Sequence, residues 1–396
     1  YILLRKCTIV WRLFFDEEVF ILLEVKMKKY YIGLFLLLLS CGRATDPGRQ
    51  GIPETVVLPL KNDRPALLKE KTKRIKRIML ESGTSESAFM DMDKLVVKND
   101  RIYILDFVGT RALYVFGMDG KYQGRIGRMG GGPGEYGRMI RDFDVDSHGH
   151  VLLVDNQKKK LHKYTAGNDY IGSVDLPFVI DGFCALDNSD YMVVLPARKG
   201  TAEVVVCDSL FRQKRTYFSY AENGDKLDLP AFTRAEKRIV YHRGIQDTVR
   251  LFSSEDGTLL KSYLLNFEGK QVPESMKNDY SEFVKIRKET DFRYLYQTPF
   301  ILGRYMVGNM YAGRHKALFG VDTETGESCV IPLLENAVDG DLPDFPLFVL
   351  NDSVLVSYMD YNVFIALENR DAMGEEAIAH LEEGGTILDF WTIVRP

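Results

Sequence analysis

The chain has 396 residues, with 52 Lys and Arg against 56 Asp and Glu, a formal net charge of −4, and five cysteines. Charge this close to balance, with Lys69 to Arg77 the one basic run, argues against a nucleic-acid partner. The length exceeds a typical domain yet fits one large all-β domain, so it does not force two.

Residues 1–26 open on Tyr1, and Asp16, Glu17 and Glu18 interrupt their apolar residues before a span of about 20 could form. We read them as an over-extended reading frame with Met27 as the start. Residues 27–40 then run in the order of an export signal: basic Lys28 and Lys29, apolar Tyr30 to Leu39, and a small Ser40 before Cys41. That apolar stretch is too short to span a bilayer and suits a cleaved signal. The ending Leu38-Leu39-Ser40-Cys41 resembles the bacterial lipobox. The resemblance implies lipidation at Cys41, membrane attachment through that anchor, and a bacterial envelope address. Gly42 follows in place of the aspartate that retains lipoproteins at the inner membrane, which favours the outer membrane and leaves the face open. Residues 41–50 become a lipidated tether and 51–396 the folded domain.

Beyond the tether, short β-rich runs alternate with turn residues. Thr55 to Leu60, TVVLPL, is expected to complete the last unit of the domain by pairing the two chain ends. Lys69 to Ile78 intersperses Ile with charge and reads as a strand with one solvated face. The segment from Asn99 then aligns with the segment from His148: an apolar strand ending in Asp106 or Asp155, a polar turn, and a strand ending in Phe116 or Tyr164. Weaker copies begin at Tyr191, Arg238 and Tyr305, and a degenerate one pairs Val354 with Phe390. Turn signals recur at Asp119-Gly120, Asp169, Asp208-Ser209, Asp256-Gly257 and Thr325-Gly326.

Six units of about 40–60 residues, each a four-stranded antiparallel sheet, predict an all-β, six-bladed β-propeller. Dividing the domain by a period of about 49 would give seven blades, but six can be traced. Cys184, Cys207 and Cys329 have no zinc-knuckle spacing and read as buried free thiols, with a Cys184–Cys207 bridge the alternative.

The glycine-rich stretch Gly124 to Gly137 lacks a Gly-Lys-Ser/Thr ending, and no helical period follows it, so it does not read as a phosphate loop. Its Gly130, Gly132, Pro133, Gly134, Glu135 and Tyr136, followed by Phe143 to Val151, resemble the loop that leads into a blade in NHL-repeat and related propellers. With the lipobox, the chain resembles the six-bladed propeller lipoproteins of Bacteroidota. This implies architecture and location and transfers no catalytic residue.

Asp142, Asp144 and Asp146 begin like an EF-hand loop. Ser147 stands where glycine is needed and Leu153 where a glutamate is needed, leaving calcium a minor option among cofactors. Alternation through Phe143 and Val145 favours a strand with one polar face and a turn at Ser147 to Gly149. His148 and His150 adjoin that turn and read as solvent-exposed rather than as ligands. No histidines are spaced as a metal pair on a helix and no G-x-S-x-G nucleophile motif is visible, so no catalytic residue is assigned. Met373, Ala377, His380 and Leu381 recur at helical spacing within Asp371 to Gly385, a helix inserted in a blade.

The expected function is a lipid-anchored envelope scaffold that binds a peptide, glycan or partner protein where propeller loops converge. Arg138, Arg141, His242 and Arg243 beside strand ends are the binding candidates. The rival is a metal-dependent lyase or lactonase-like hydrolase using the central channel, a reading that rests on fold analogy.

Overall fold

The strands of the domain are too short to stand alone, and the chain folds back after nearly every one. The computed structural model describes residues 55–221, 231–277, 280–287, 289–295, 297–332, 347–365 and 373–393. The export signal, Cys41 and the tether lie outside the described residues. Residues 53–396 form one unit.

The chain begins with β1 (Thr55–Pro59), α1 (Leu67–Lys71) and β2 (Thr72–Leu80). Blade 1 is β3 (Lys94–Lys98), β4 (Arg101–Asp106), β5 (Ala112–Gly117) and β6 (Tyr122–Arg125). A short parallel pair, β7 (Arg128–Met129) and β8 (Glu135–Tyr136), leads to blade 2. That blade is β9 (Ile140–Val145), β10 (Val151–Asp155), β11 (Lys160–Tyr164) and β12 (Tyr170–Asp175). Blade 3 is β13 (Gly182–Ala185), β14 (Tyr191–Val194), β15 (Ala202–Cys207) and β16 (Gln213–Ser219). Blade 4 is β17 (Phe232–Ala235), β18 (Arg238–His242), β19 (Thr248–Ser253) and β20 (Leu259–Asn266). After α2 (Tyr280–Ile286), blade 5 comprises β21 (Arg293–Leu295), β22 (Phe300–Leu302), β23 (Tyr305–Ala312), β24 (His315–Asp322) and β25 (Ser328–Pro332). Blade 6 holds β26 (Leu347–Asn351) and β27 (Val354–Met359), then α3 (Tyr361–Ile365), α4 (Glu375–Glu382) and β28 (Thr386–Ile393).

The fold is the expected six-bladed propeller, and β2 is the outer strand of blade 6. The chain ends therefore do pair, but through a different segment from the one expected. β2 runs antiparallel to β28 from Thr72 opposite Ile393 to Leu80 opposite Thr386. β1, expected to make this closure, instead adds in parallel to β20 as a fifth strand of blade 4. The reason lies in the side chains. Leu58 and Leu60 are buried in the core between blades 4 and 5, whereas β2 offers Ile78 and Leu80 to the core between blades 6 and 1. On β2, Arg77 also holds Asp389 of β28 through paired bonds of 2.8 and 2.7 Å. The basic run thus belongs to α1 and to a strand whose Lys73 to Ile75 face solvent, close to the reading from sequence.

Blades bury their faces against one another, and six apolar cores fill the six spaces between neighbours. The recurring turns join the last two strands, in chain order, of blades 1 to 5, and Gly120, Gly257 and Gly326 adopt positive φ in three of them. At Gly120 a Cβ would collide with the Met79 carbonyl oxygen, so the turn presses directly on β2. All three thiols are free and buried; β14 separates the strands that carry Cys184 and Cys207. The inserted helix exists as α4, with Ala377 and Leu381 buried, and α1, α2 and α3 are short helices that periodicity did not reveal.

Candidate functional site

The first strands of the blades run side by side around the axis, in the same direction. Lys94 meets Asp142 and Phe143 while Lys98 meets Val145, and Asp142 meets Phe183 while Asp144 meets Ala185. Between these strands lies a cavity of ≈ 280 Å³ to which all six blades contribute.

One arc of its wall is charged. Side chains alternate along a strand, so Asp142 and Asp144 share one face of β9. Their carboxylates accept the Phe183 N–H (2.7 Å) and the Ala185 N–H (2.9 Å) of β13 and so staple blade 2 to blade 3. Lys94 of blade 1 donates to Asp142 at 2.8 Å, to the Phe143 carbonyl at 2.8 Å and to the Phe183 carbonyl at 3.3 Å. Burial pulls this ammonium toward neutrality, but Asp142 and Asp144 outweigh it and hold its pKa above the ordinary lysine value. From blade 4, Arg234 donates to the Ala185 carbonyl at 2.5 Å and pairs with Asp187. Burial, with Asp144 nearby, pushes the Cys184 thiol up to about 12, so this lining residue carries an inert thiol. The other arc, from blades 5 and 6, presents Phe300, Phe348, Val349 and Leu350. Asp142, Asp144, Lys94 and Arg234 are committed to holding blades together. Of these, Lys94, Asp144 and Arg234 also line the cavity, where they are placed to orient a ligand's polar group.

The four binding candidates come to one end of the channel. Arg138 and Arg141 flank the start of β9, and His242 and Arg243 lie where β18 ends, opposite the start of β17. This end, the mouth, gathers the loops between blades and the loops joining second to third strands. Arg138 is exposed, while Arg141 donates to the Asp181 carbonyl at 3.1 Å and lies 5.1 Å from the Phe107 ring centre. Arg243 stacks 4.6 Å over the Tyr220 ring. His242 is buried, with its Nε2 2.8 Å from the Gln246 carbonyl, and burial lowers its pKa to about 4. It therefore shapes the loop from within, as a neutral donor.

The glycine-rich loop also belongs to the mouth. Glu135 braces it from within, accepting the Gly132 N–H at 2.6 Å and pairing with Arg128, and Lys158 from the loop between β10 and β11 donates to the Gly130 and Glu135 carbonyls. Gly134, at φ +72°, packs so closely on Tyr170 that a Cβ would lie 2.7 Å from the ring. Asp106 and Asp155, the strand-ending aspartates of the repeat, perform one job in two blades. Asp106 accepts the Met90 N–H at 2.8 Å and Asp155 accepts the Gly137 N–H at 2.6 Å, each tying an inter-blade loop to the blade that follows it.

What the sequence did not flag is the apolar rim. Met90 (74 %), Val108 (57 %) and Met139 (57 %) are exposed on mouth loops of blades 1 and 2. Met90 lies against Gly109, beside Val108. Tyr361 and Ile365 of α3 add exposed apolar surface at the mouth of blade 6. Single methionines and valines in loops carry no periodic signal, which is why only the structure reveals the grouping. Asp93 stands below this rim, accepting the Phe107 N–H at 2.8 Å, and burial lifts its carboxyl to about 6. Among the described residues, the group with metal-ligand geometry is Asp146, His148 and His150, at the opposite end of β9.

A family model described as a domain of unknown function, DUF4934, matches residues 54–384. Among solved structures the chain is similar to a candidate exported protein from Bacteroides fragilis, at 17% identity and a TM-score of 0.69, covering 86% of this chain and 100% of that one. It is also similar to a member of the DUF4221 family from Bacteroides vulgatus, at 11% identity and a TM-score of 0.49, covering 83% of this chain and 100% of that one. No curated protein matches the sequence.

Proposed function

We propose that this chain, which belongs to the DUF4934 family, is an exported, lipid-anchored scaffold that binds a peptide segment of another envelope protein at its channel mouth. One observation carries the reading: Met90, Val108 and Met139 are each exposed on mouth loops of blades 1 and 2, loops that meet where Arg141 lies over Phe107, and exposed Arg138 directly precedes Met139. Isolated exposed apolar residues need no explanation, but a group on converging loops of a rigid scaffold is the form of a recognition site. An apolar side chain would seat on the methionines, and a neighbouring carboxylate would meet Arg138. Arg141, His242 and Arg243 position the surrounding loops.

The address comes from the signal-like segment ending in Cys41 and is supported by the exported character given for the Bacteroides fragilis neighbour. The loop at Gly130 to Tyr136, which resembles the blade-entry loop of NHL-repeat propellers, lies at this mouth. The anchor is tested by Cys41→Ser, which should move the protein from the membrane to the soluble fraction. Binding is tested by a photo-crosslinking residue placed at Met139 or at Leu210, which is exposed on the opposite face. Adducts should form from position 139, and Met90→Asp should diminish them. Equal adducts from position 210, or none changed by Met90→Asp, would overturn the reading.

A further inference from the structure

We propose a second, independent site: Asp146, His148 and His150 bind a divalent transition-metal ion of the zinc class. The three residues occupy the hairpin between β9 and β10, at the end of the propeller away from the mouth. One ligand atom from each lies within 4.8 Å of the other two.

The hairpin is held in place by its own backbone. Gly149 N–H donates to the Asp146 carbonyl at 3.0 Å, and Asp146 N–H to the His150 carbonyl at 2.9 Å. Asp146 Oδ1 accepts the His148 and His150 N–H groups, each at 2.9 Å. The carboxylate is thus fixed and already faces an imidazole, with His150 Nδ1 3.0 Å from Asp146 Oδ2. Around a tetrahedral zinc with bonds of about 2.0–2.1 Å, donor atoms stand roughly 3.3 Å apart. Only the His148 ring, exposed and with its Nδ1 3.4 Å from the Ser147 hydroxyl, has to leave that contact and close in.

The donor set decides the kind of metal. Two imidazoles and one carboxylate suit zinc, nickel or copper, whereas calcium and magnesium take shells of oxygen. Three protein ligands leave one coordination position for water or a second ligand. One neighbour opposes the ion. Lys163 places its ammonium 3.4 Å from Asp146 Oδ2 and has to swing outward into solvent when the metal enters.

The test is calorimetric titration of the purified, metal-stripped protein with Zn²⁺. One saturable site per chain is expected. His148→Ala and His150→Ala should each weaken binding at least about tenfold, since even groups that merely orient a ligand are worth that much. Lys163→Met should tighten it, and His315→Ala, on an exposed residue of blade 5, should leave it unchanged. Because the His148 ring is exposed, His148→Ala tests the site without threatening the fold. Absence of a saturable site, or equal affinity in the His148→Ala/His150→Ala double variant, would overturn the proposal. Either result is separable from binding at the mouth, which none of these residues touches.

Discussion

The two arcs of the channel wall use opposite physics to hold blades in register. Blades 1 to 4 are joined near the axis by Lys94, Asp142, Asp144 and Arg234, whose bonds reach across to neighbouring backbones. Blades 5 and 6 meet through apolar packing of Phe300, Leu302, Leu355 and Trp391. Between the two regimes, Thr233 of blade 4 donates to the Pro299 carbonyl of blade 5 at 2.6 Å. Charged clamps are directional and specify register, while apolar packing is tolerant of small shifts. The rim of exposed methionines stands above the clamped arc, so the proposed binding loops rest on the more rigidly specified part of the ring.

The contrast can be broken at each regime. Asp142→Ala leaves the buried Lys94 ammonium without its carboxylate and should cost about 3–5 kcal/mol in urea unfolding. The Lys94→Met/Asp142→Ala double variant should cost less than the sum of the singles by about 0.5–3 kcal/mol; strict additivity would deny the clamp. At the boundary, Thr233→Val strands the Pro299 carbonyl and should cost about 1–2 kcal/mol. In the apolar arc, Phe348→Leu should cost only about 1 kcal/mol, because neighbouring side chains can close on the smaller residue.

Acidity sharpens the comparison within the mouth, where two groups titrate with opposite sign. His242, depressed to about 4, contributes stability that is complete above about 6.5 and is lost as pH falls through about 4. Asp93, raised to about 6, favours the folded state fully below about 3.8, and that contribution is lost as pH rises through about 6. His242→Gln should therefore gain on the parent protein in thermal unfolding at pH 4.5 relative to pH 7. Asp93→Asn should gain at pH 7 relative to pH 4. Shifts of about 2–4 °C are expected, and parallel curves for parent and variants would refute the assignment.

Much of the scaffold was legible because its signals are local. Asp106 and Asp155 end equivalent strands at equivalent places in two blades, and Gly120, Gly257 and Gly326 mark turns that need positive φ. The alternation at Asp142 to Val145 correctly announced a strand, and Ser147 to Gly149 a turn. That its polar face is buried was not legible, because Lys94 and Arg234 come from strands distant in sequence to meet it. The same limit separated β1 from β2. Both read as strands, but which one meets β28 depends on where Leu58, Ile78 and Leu80 find apolar partners.

The chain by itself therefore determined the repeating strands, the count of six and the turns, since these follow from periodicity and backbone preference over a few residues. It also put Arg138, Arg141, His242 and Arg243 at strand ends. Only the tertiary structure decided that these ends share one mouth, that His242 turns inward, and that Met90, Val108 and Met139 form a rim. Those outcomes depend on contacts between segments far apart in the chain, where burial and charge pairing, rather than local propensity, choose the partner.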